Sequence, residues 1–296
     1  MIREIQDHFR FYQHFKQSFA SSDFKNVFKK TIRDLSPFKF NSLKGKKILD
    51  LGCGQRFPFS LLASAYGAHV TALDINNVKP DSLPLYFWKT LRLDGSKRAI
   101  KSVVRRILFD KLYYNQLEAI AGRPLSPYKT NIEFIVADPE SAKYPLSDDL
   151  FDLITSNNVL EHVADVPKYF SEVRRLLKTG GLFYGIIHNF FSLSGGHNFE
   201  WASPDTSPSP NVPPWDHLRE NLFPAYVYLN RLMPDQYKAI ASSQLQVILF
   251  QGRDINNDPG GSEGKTFLTP EVQAELSGFP RDLLLTRSYC IICSKR

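Results

Sequence analysis

Apolar residues recur along the chain at two spacings. Ile2, Ile5, Phe9, Tyr12, Phe15 and Phe19 lie three or four apart, which puts a single stripe on one side of a helix. A shorter helix is expected from about Asp23 to Leu35. It stops before Ser36-Pro37, because the residue preceding a proline is pushed out of helical backbone. Compact apolar runs then take over. Lys47–Leu51 reads as a buried strand opening into Gly52-Cys53-Gly54. A helix from Pro58 to Tyr66 stops at Gly67, and His69 to Ile75 is a second strand that carries Asp74 near its end. Ser96 to Ala121 reads as one long helix closed by Gly122 and Pro124. Its apolar stripe would be Ile100, Val103, Val104, Ile107, Leu108 and Leu112, and its basic side Lys97, Arg98, Lys101, Arg105 and Arg106. Strand signals resume at Ile132–Val136 and at Phe151 to Thr155. A helix from Val166 to Lys178 and a strand from Leu182 to Ile187 follow. Residues 190–214 read as loop, Trp215 to Leu232 as a helix with a short one after Pro234, and Leu245 to Phe250 and Ser288 to Ile292 as the last strands. Alternation of strand and helix predicts an α/β fold built from βαβ units around a mostly parallel sheet.

Composition narrows this. The chain has 296 residues, 43% hydrophobic and 23% charged, which is ample for a core and excludes wholesale disorder. No apolar run approaches the ~18 residues of a membrane-spanning helix, and the N-terminus lacks the apolar centre of a signal peptide. Three cysteines are too few for a disulfide framework, so a reducing cytoplasm is the expected compartment. Cys290-Ile-Ile-Cys293 falls in a strand and is read as structural. The net charge of +7 is unevenly placed: residues 1–47 and 78–130 each hold 11 basic and 4 acidic side chains, leaving the remainder at −7. Such blocks can attract phosphate, nucleic acid or anionic lipid, and their plain reading is two solvated helical faces.

The strongest chemical signal is Ile48-Leu49-Asp50-Leu51-Gly52-Cys53-Gly54, a strand running into a glycine turn. Glycines allow the tight turn and a close approach to a ligand. Asp74 ends the next strand about twenty residues on, where a carboxylate can accept ribose hydroxyls. A dinucleotide fingerprint would want a third glycine where Phe57 stands. Together with Ala137-Asp138-Pro139-Glu140, Ser156-Asn157-Asn158-Val159-Leu160-Glu161-His162-Val163 and Arg175-Leu176-Leu177-Lys178-Thr179-Gly180-Gly181, this pattern resembles a class I S-adenosylmethionine-dependent methyltransferase of the small-molecule, type 11-like branch. The resemblance covers roughly residues 45–190. It implies a Rossmann-like seven-stranded mostly parallel sheet with helices on both faces and helical cap insertions. Residues 1–44 would be an N-terminal helical cap and 45–296 the methyltransferase domain, with insertions at 78–130 and 190–242. It also implies S-adenosylmethionine as cofactor and S-adenosylhomocysteine as product. Asp50, Gly52 and Gly54 would frame the cofactor's amino-acid part, Asp74 its ribose and Asp138 its adenine, while Asn157 would line the methyl-transfer mouth. The family usually has glycine where Arg56 stands and proline where Thr179 stands. Arg56 could crowd or pair with the methionine end of the cofactor, or point outward. Metal-dependent quinone-ring relatives show Glu-x-x-Glu-His where this chain has Asn158-Val159-Leu160-Glu161-His162. The amide in the first position weakens a metal reading, for which magnesium with oxygen ligands is the alternative; no metal is expected, and Glu161-His162 is read as opening a helix and packing under the site.

In this family, an insertion after the fifth strand commonly covers the substrate. Here residues 188–217 hold His188, His197 and His217 together with Trp201 and Trp215. A neutral imidazole can deprotonate a hydroxyl at the moment of transfer, and an indole face can pack on a ring. The three histidines are candidate bases, with His197 favoured for its Gly195-Gly196 approach. The expected activity is methylation, O-directed, of a small molecule or glycan, with an acidic sugar suggested by the basic covers. The alternatives are an RNA methyltransferase using the basic blocks and a non-catalytic, cofactor-binding protein at an anionic membrane. Nucleic acid is the less favoured partner. The expected location is the cytoplasm, with the inner face of a membrane as the variant.

Overall fold

The computed structural model describes residue 13 and residues 16–138, 143–204 and 207–296. Most of the helix expected over residues 2–20, and Pro139-Glu140 of the third motif, lie outside these. Seven strands form one sheet in the order 3-2-1-4-5-7-6, the Rossmann-like α/β arrangement expected. The chain forms two compact units, residues up to Thr155 and residues from Ser156 onward.

The first unit begins with helix α1 (Phe19–Ser22), which continues through a wider π-type segment (Asp23–Lys29) into α2 (Lys30–Leu35). Strand β1 (Lys47–Leu51) is buried from its second residue on, as a central parallel strand covered on both faces must be. Helix α3 (Pro58–Ala65) starts with proline at its first turn and is buried from Phe59 onward. Strand β2 (His69–Asp74) runs parallel to β1, and Asp74 is in register with Val136 of β3 (Ile132–Val136). Strand β4 (Phe151–Asn157) pairs in parallel on the other side of β1. Between β2 and β3 lie α4 (Leu83–Arg105), a π-type segment (Arg106–Asp110) and α5 (Lys111–Ala121).

That insertion corrects the sequence reading twice. Helix begins at Leu83, well before Ser96, and a kink at Gly95 (φ 81°, ψ 170°) divides it. The expected apolar stripe also faces outward: Ile100, Val104, Ile107, Leu108 and Leu112 are exposed, while Ala99, Ser102, Arg105, Phe109, Asp110, Tyr113 and Leu117 are buried. The buried charges pair with one another. Asp110 accepts from Arg56 Nε at 2.9 Å and from Arg105 Nε at 3.2 Å. The Arg106 guanidinium stacks 3.3 Å over the Tyr86 ring centre and donates to the carbonyls of Lys79 and Asp81. Two of the five cations read as a solvated basic side are therefore internal anchors.

In the second unit, α6 (Val166–Leu176) is capped by Asp165, whose carboxylate accepts from the Lys168 N–H at 3.0 Å. Val166, Tyr169, Phe170, Val173 and Leu176 form its buried face. Strand β5 (Leu177–His188) pairs antiparallel with β7 (Ser288–Ser294), and β7 pairs antiparallel with β6 (Gln246–Arg253). Cys290 and Cys293 are both buried in β7. Helix α7 (Pro234–Gln244) precedes β6, and the short helices α8 (Pro270–Glu275) and α9 (Arg281–Leu285) precede β7. The helix expected from Trp215 to Leu232 is absent. Only Asp216–Leu218 makes a single 3-10 turn. Pro224 cannot donate the backbone hydrogen bond of a helix interior, and Asn221 (φ 53°) and Arg231 (φ 58°) are left-handed. Trp201 and Trp215 do not offer faces to a substrate. Both are core residues packed with Leu193, Val212, Leu268, Leu276, Leu284 and Leu285, and their indole N–H groups donate to the carbonyls of Val212 and Phe191. Among the described residues, no helix is long and apolar enough to cross a membrane.

Candidate active site

In open α/β sheets, ligands bind beyond the carboxyl end of the strand where chain order reverses. Here that strand is β1, flanked by β2 on one side and β4 on the other. Leu51 leads into Gly52 (φ 72°), Cys53 and Gly54 (φ 70°). The Gly52 and Cys53 N–H groups both donate to the Leu73 carbonyl, at 2.8 and 3.1 Å. Gly54 N–H donates to Asp74 Oδ2 at 2.9 Å. A Cβ on Gly54 would meet nothing within 4 Å, so the turn opens onto free space.

Asp50 lies beneath the turn, buried. Its carboxylate accepts from the Ser60 hydroxyl at 2.6 Å and from the Thr155 hydroxyl at 3.1 Å. Burial pushes its carboxyl up to about 6 despite the Ser60 and Thr155 hydrogen bonds. It ties β1, α3 and β4 together and so sets the turn's position. Asp74 already accepts three hydrogen bonds: Gly54 N–H on Oδ2, and Asn76 N–H (2.9 Å) and Nδ2 (3.2 Å) on Oδ1. A carboxylate has about four acceptor sites, so one remains, and a second ribose hydroxyl requires the Asn76 amide to turn away. Ala137 N–H donates to the Asp74 carbonyl at 3.0 Å, which sets Asp138, exposed, just past the end of β3 beside Asp74. The open glycine turn, the Asp74 acceptor site and the neighbouring Asp138 fit an adenosyl amino-acid ligand.

Arg56 does not point outward. Its guanidinium lies over the rings of Tyr113 (4.4 Å) and Phe19 (5.3 Å) and pairs with Asp110. Tyr113 in turn donates to Asp23 at 2.6 Å. The residue that departs from the family's glycine thus anchors the insertion between β2 and β3.

The second unit holds a group of histidines of its own. Asn157 ends β4 half-buried, and Asn158 turns the chain (φ 54°) while donating to the Ile186 carbonyl at 2.8 Å. The structure brings His188 and His197 together, with ring centres 4.7 Å apart. His162 meets His197 edge to face at 4.9 Å. His217 packs against Gly196, where an added Cβ would come within 2.6 Å of its ring, which explains the glycine there.

Burial lowers the pKa of all four imidazoles: His197 falls to about 3 and His217 to about 4, and His162 and His188 fall as well. They are neutral near pH 7, each with one unprotonated nitrogen. Hydrogen bonds say which. His162 Nδ1 lies 2.9 Å from the Tyr228 carbonyl and His217 Nε2 2.8 Å from the Phe190 carbonyl. A carbonyl only accepts, so those nitrogens carry the protons. His188 Nε2 lies 2.8 Å from Ser194 Oγ, which donates to Glu263 at 2.8 Å; Glu263 is paired with Arg287. Ser194 spends its one proton on that carboxylate, so His188 donates from Nε2 and leaves Nδ1 free.

A cavity of about 450 Å³ opens beside this group, lined by Phe190, His217, Tyr228, Asn230 and Arg231 among others. That volume is in the range of small-molecule sites. Asn230 clamps its loop by donating to the carbonyls of Leu160 and Val163 and accepting from Tyr237. Sequence reasoning missed Ser194, Glu263, Arg287 and Arg231, which carry no local motif, and read Glu161 first as packing under the site, with a magnesium ligand as the weaker alternative.

The chain matches the family described as methyltransferase domain over residues 8–222. It belongs to that family: the sheet and the glycine turn are those of a class I S-adenosylmethionine-dependent methyltransferase, with S-adenosylmethionine as cofactor. Similar proteins include phosphoethanolamine N-methyltransferase 1 of Zea mays, 29% identical over 143 residues, or 48% of this chain and 21% of that protein. A ubiquinone biosynthesis O-methyltransferase of Marinobacter nauticus is 28% identical over 158 residues, 51% of this chain and 50% of that one. The chain thus covers about a fifth and about half of these relatives' own lengths. Among solved structures, an S-adenosylmethionine dependent methyltransferase from Mesorhizobium loti is similar at 19% identity and a TM-score of 0.47, covering 90% of this chain and 96% of that one.

Proposed function

We propose that this protein methylates a hydroxyl of a small, polar, acidic molecule such as a carboxylated or phosphorylated sugar. The observation that carries the proposal is the cavity lined by both His217 and Arg231. The Gly52–Gly54 turn, Asp74 and Asp138 would hold S-adenosylmethionine, which would supply a methyl already activated on a sulfonium. The chain must hold the hydroxyl and take its proton. His217 has its protonated nitrogen fixed on the Phe190 carbonyl, which leaves Nδ1 as the acceptor. An imidazole with a pKa of about 4 is a weak base for a free hydroxyl. It is strong enough once the oxygen has begun to bond the methyl, because a protonated ether is far more acidic than an imidazolium. Arg231 lies over the Phe190 ring at 5.3 Å and has no ion pair among the described residues, so its charge is available to an anionic substituent.

Arg105 and Arg106 are engaged inside the insertion, so the block at 78–130 offers fewer free cations than its count suggests. That favours a small acceptor over RNA. The experiment is steady-state kinetics of His217→Asn and Arg231→Gln with a panel of hydroxylated sugar acids and their neutral counterparts. His217→Asn is expected to lower kcat by about 100-fold or more with cofactor affinity unchanged. Arg231→Gln is expected to raise KM for acidic acceptors alone. Equal turnover by His217→Asn, or no preference for acidic over neutral acceptors, would overturn the proposal.

A further inference from the structure

One group in the second unit has no role in this chemistry. The Glu161 side chain is almost wholly buried, at 2% exposure, yet neither carboxylate oxygen accepts a well-formed hydrogen bond. A buried polar group without partners costs free energy in either protonation state, so the structure holds an unpaired acceptor at a substantial cost. His162 Nε2 stands 4.0 Å from Oε1.

What lies around this carboxylate is a set of donors. One ligand atom each from Glu161, His188 and His197 falls within 4.8 Å of the others. We propose that Glu161, His188 and His197 form a binding site for one first-row divalent transition cation, with Zn²⁺ the best match. Two imidazoles and one carboxylate suit zinc and its neighbours, whereas magnesium prefers oxygen donors. The protein ligands number three, which leaves a fourth position for water or an acceptor oxygen.

Several features support this. The ligands come from three places: the turn after β4, the end of β5, and the loop beyond it. His188 is oriented as metal-bound histidines are, with its other ring nitrogen donating into a hydrogen-bonded carboxylate relay. The relay runs His188–Ser194–Glu263–Arg287 and leaves His188 Nδ1 bare. His197 sits in left-handed backbone at φ 52°, a conformation held by its surroundings. His162, whose proton is fixed on the Tyr228 carbonyl, turns its bare Nε2 toward the same carboxylate. Ligands at the usual zinc–nitrogen distance of about 2.1 Å stand roughly 3.4 Å apart in a tetrahedron. The trio must therefore draw in by up to about 1.4 Å, a shift within the reach of side-chain rotation.

The test needs neither cofactor nor acceptor, so its failure and that of the methyl-transfer proposal are separable. Full-length, tag-free protein is stripped with a chelator and titrated with Zn²⁺ alone by calorimetry, then loaded with Co²⁺ for its visible spectrum. The expected result is one Zn²⁺ per chain and the intense bands of Co²⁺ in a four-coordinate site. Glu161→Gln and His197→Asn should weaken binding by more than the ~10- to 100-fold that outer-shell changes cost, and Ser194→Ala should weaken it by about tenfold or more. His69→Gln, at an exposed position at the start of β2, should change nothing. Should a ligand variant fail to fold, Ser194→Ala and the Co²⁺ spectrum of the unmodified chain decide. Failure of the unmodified chain to take up one Zn²⁺, or equal binding by Glu161→Gln or Ser194→Ala, overturns the site.

Discussion

At the scale of single residues, buried carboxylates set the terms. Asp50 is held in the folded chain with a pKa near 6, against an ordinary 3.8. The raised value means that the protonated acid is the form burial favours. Its stabilising contribution is full below about pH 4 and is lost as pH rises through about 6. Asp50→Asn keeps an acceptor for the Ser60 hydroxyl and removes the buried charge. Thermal melts should therefore show this variant gaining on the wild type as pH rises from about 4 to 8, by up to about 3 kcal/mol at the upper end; parallel pH profiles would show that the carboxylate pays no burial penalty. Asp50, Gly52, Gly54 and Asp74 were legible in the sequence because their geometry is local: a strand, a turn, and a carboxylate at the end of the next strand. The Glu161 cluster was not. Glu161, His188 and His197 meet only through the fold, and the proton position that frees His188 Nδ1 depends on Ser194, Glu263 and Arg287.

At the scale of elements, the insertion between β2 and β3 shows where periodicity misleads. Spacing alone identified a helix and an apolar stripe, but the buried face is the other one, carrying Ala99, Ser102, Arg105, Asp110, Tyr113 and Leu117. Hydropathy cannot foresee that Asp110 pairs both with Arg56, 54 residues away in the chain, and with Arg105, five residues away. Ile107 and Leu108 are 60% and 54% exposed, whereas Leu117 is fully buried. Replacing both Ile107 and Leu108 with Gln should change stability by no more than about 1 kcal/mol, and Leu117→Ala should cost about 2–5 kcal/mol. Urea denaturation distinguishes these; a larger loss from the exposed pair would mean that the stripe is the packed face after all. The missing helix after Trp215 has a plainer cause: Pro224 and the left-handed Asn221 and Arg231 break any helical run, a signal that the sequence did contain at Pro224.

At the scale of the whole molecule, the order 3-2-1-4-5-7-6 and the antiparallel β7 give physical form to an alternation that was readable from the sequence. The parallel strands are short, apolar and separated by helices, so hydropathy alone marks them. Strand order and the reversal of β7 depend on long-range pairing that the sequence pattern does not carry; the family resemblance implied only seven, mostly parallel strands. The net +7 also looks different after folding, because part of the basic excess is spent on internal pairs and ring stacking rather than on a binding surface. The central claim is that this chain binds an adenosyl amino-acid cofactor at the turn after β1, with Asp74 holding the ribose. Isothermal calorimetry with S-adenosylhomocysteine tests it most directly. The account predicts one molecule bound per chain, with Asp74→Ala weakening it by about 1–3 kcal/mol, roughly 5- to 150-fold; absence of binding to the wild-type chain, or equal affinity in Asp74→Ala, would contradict it.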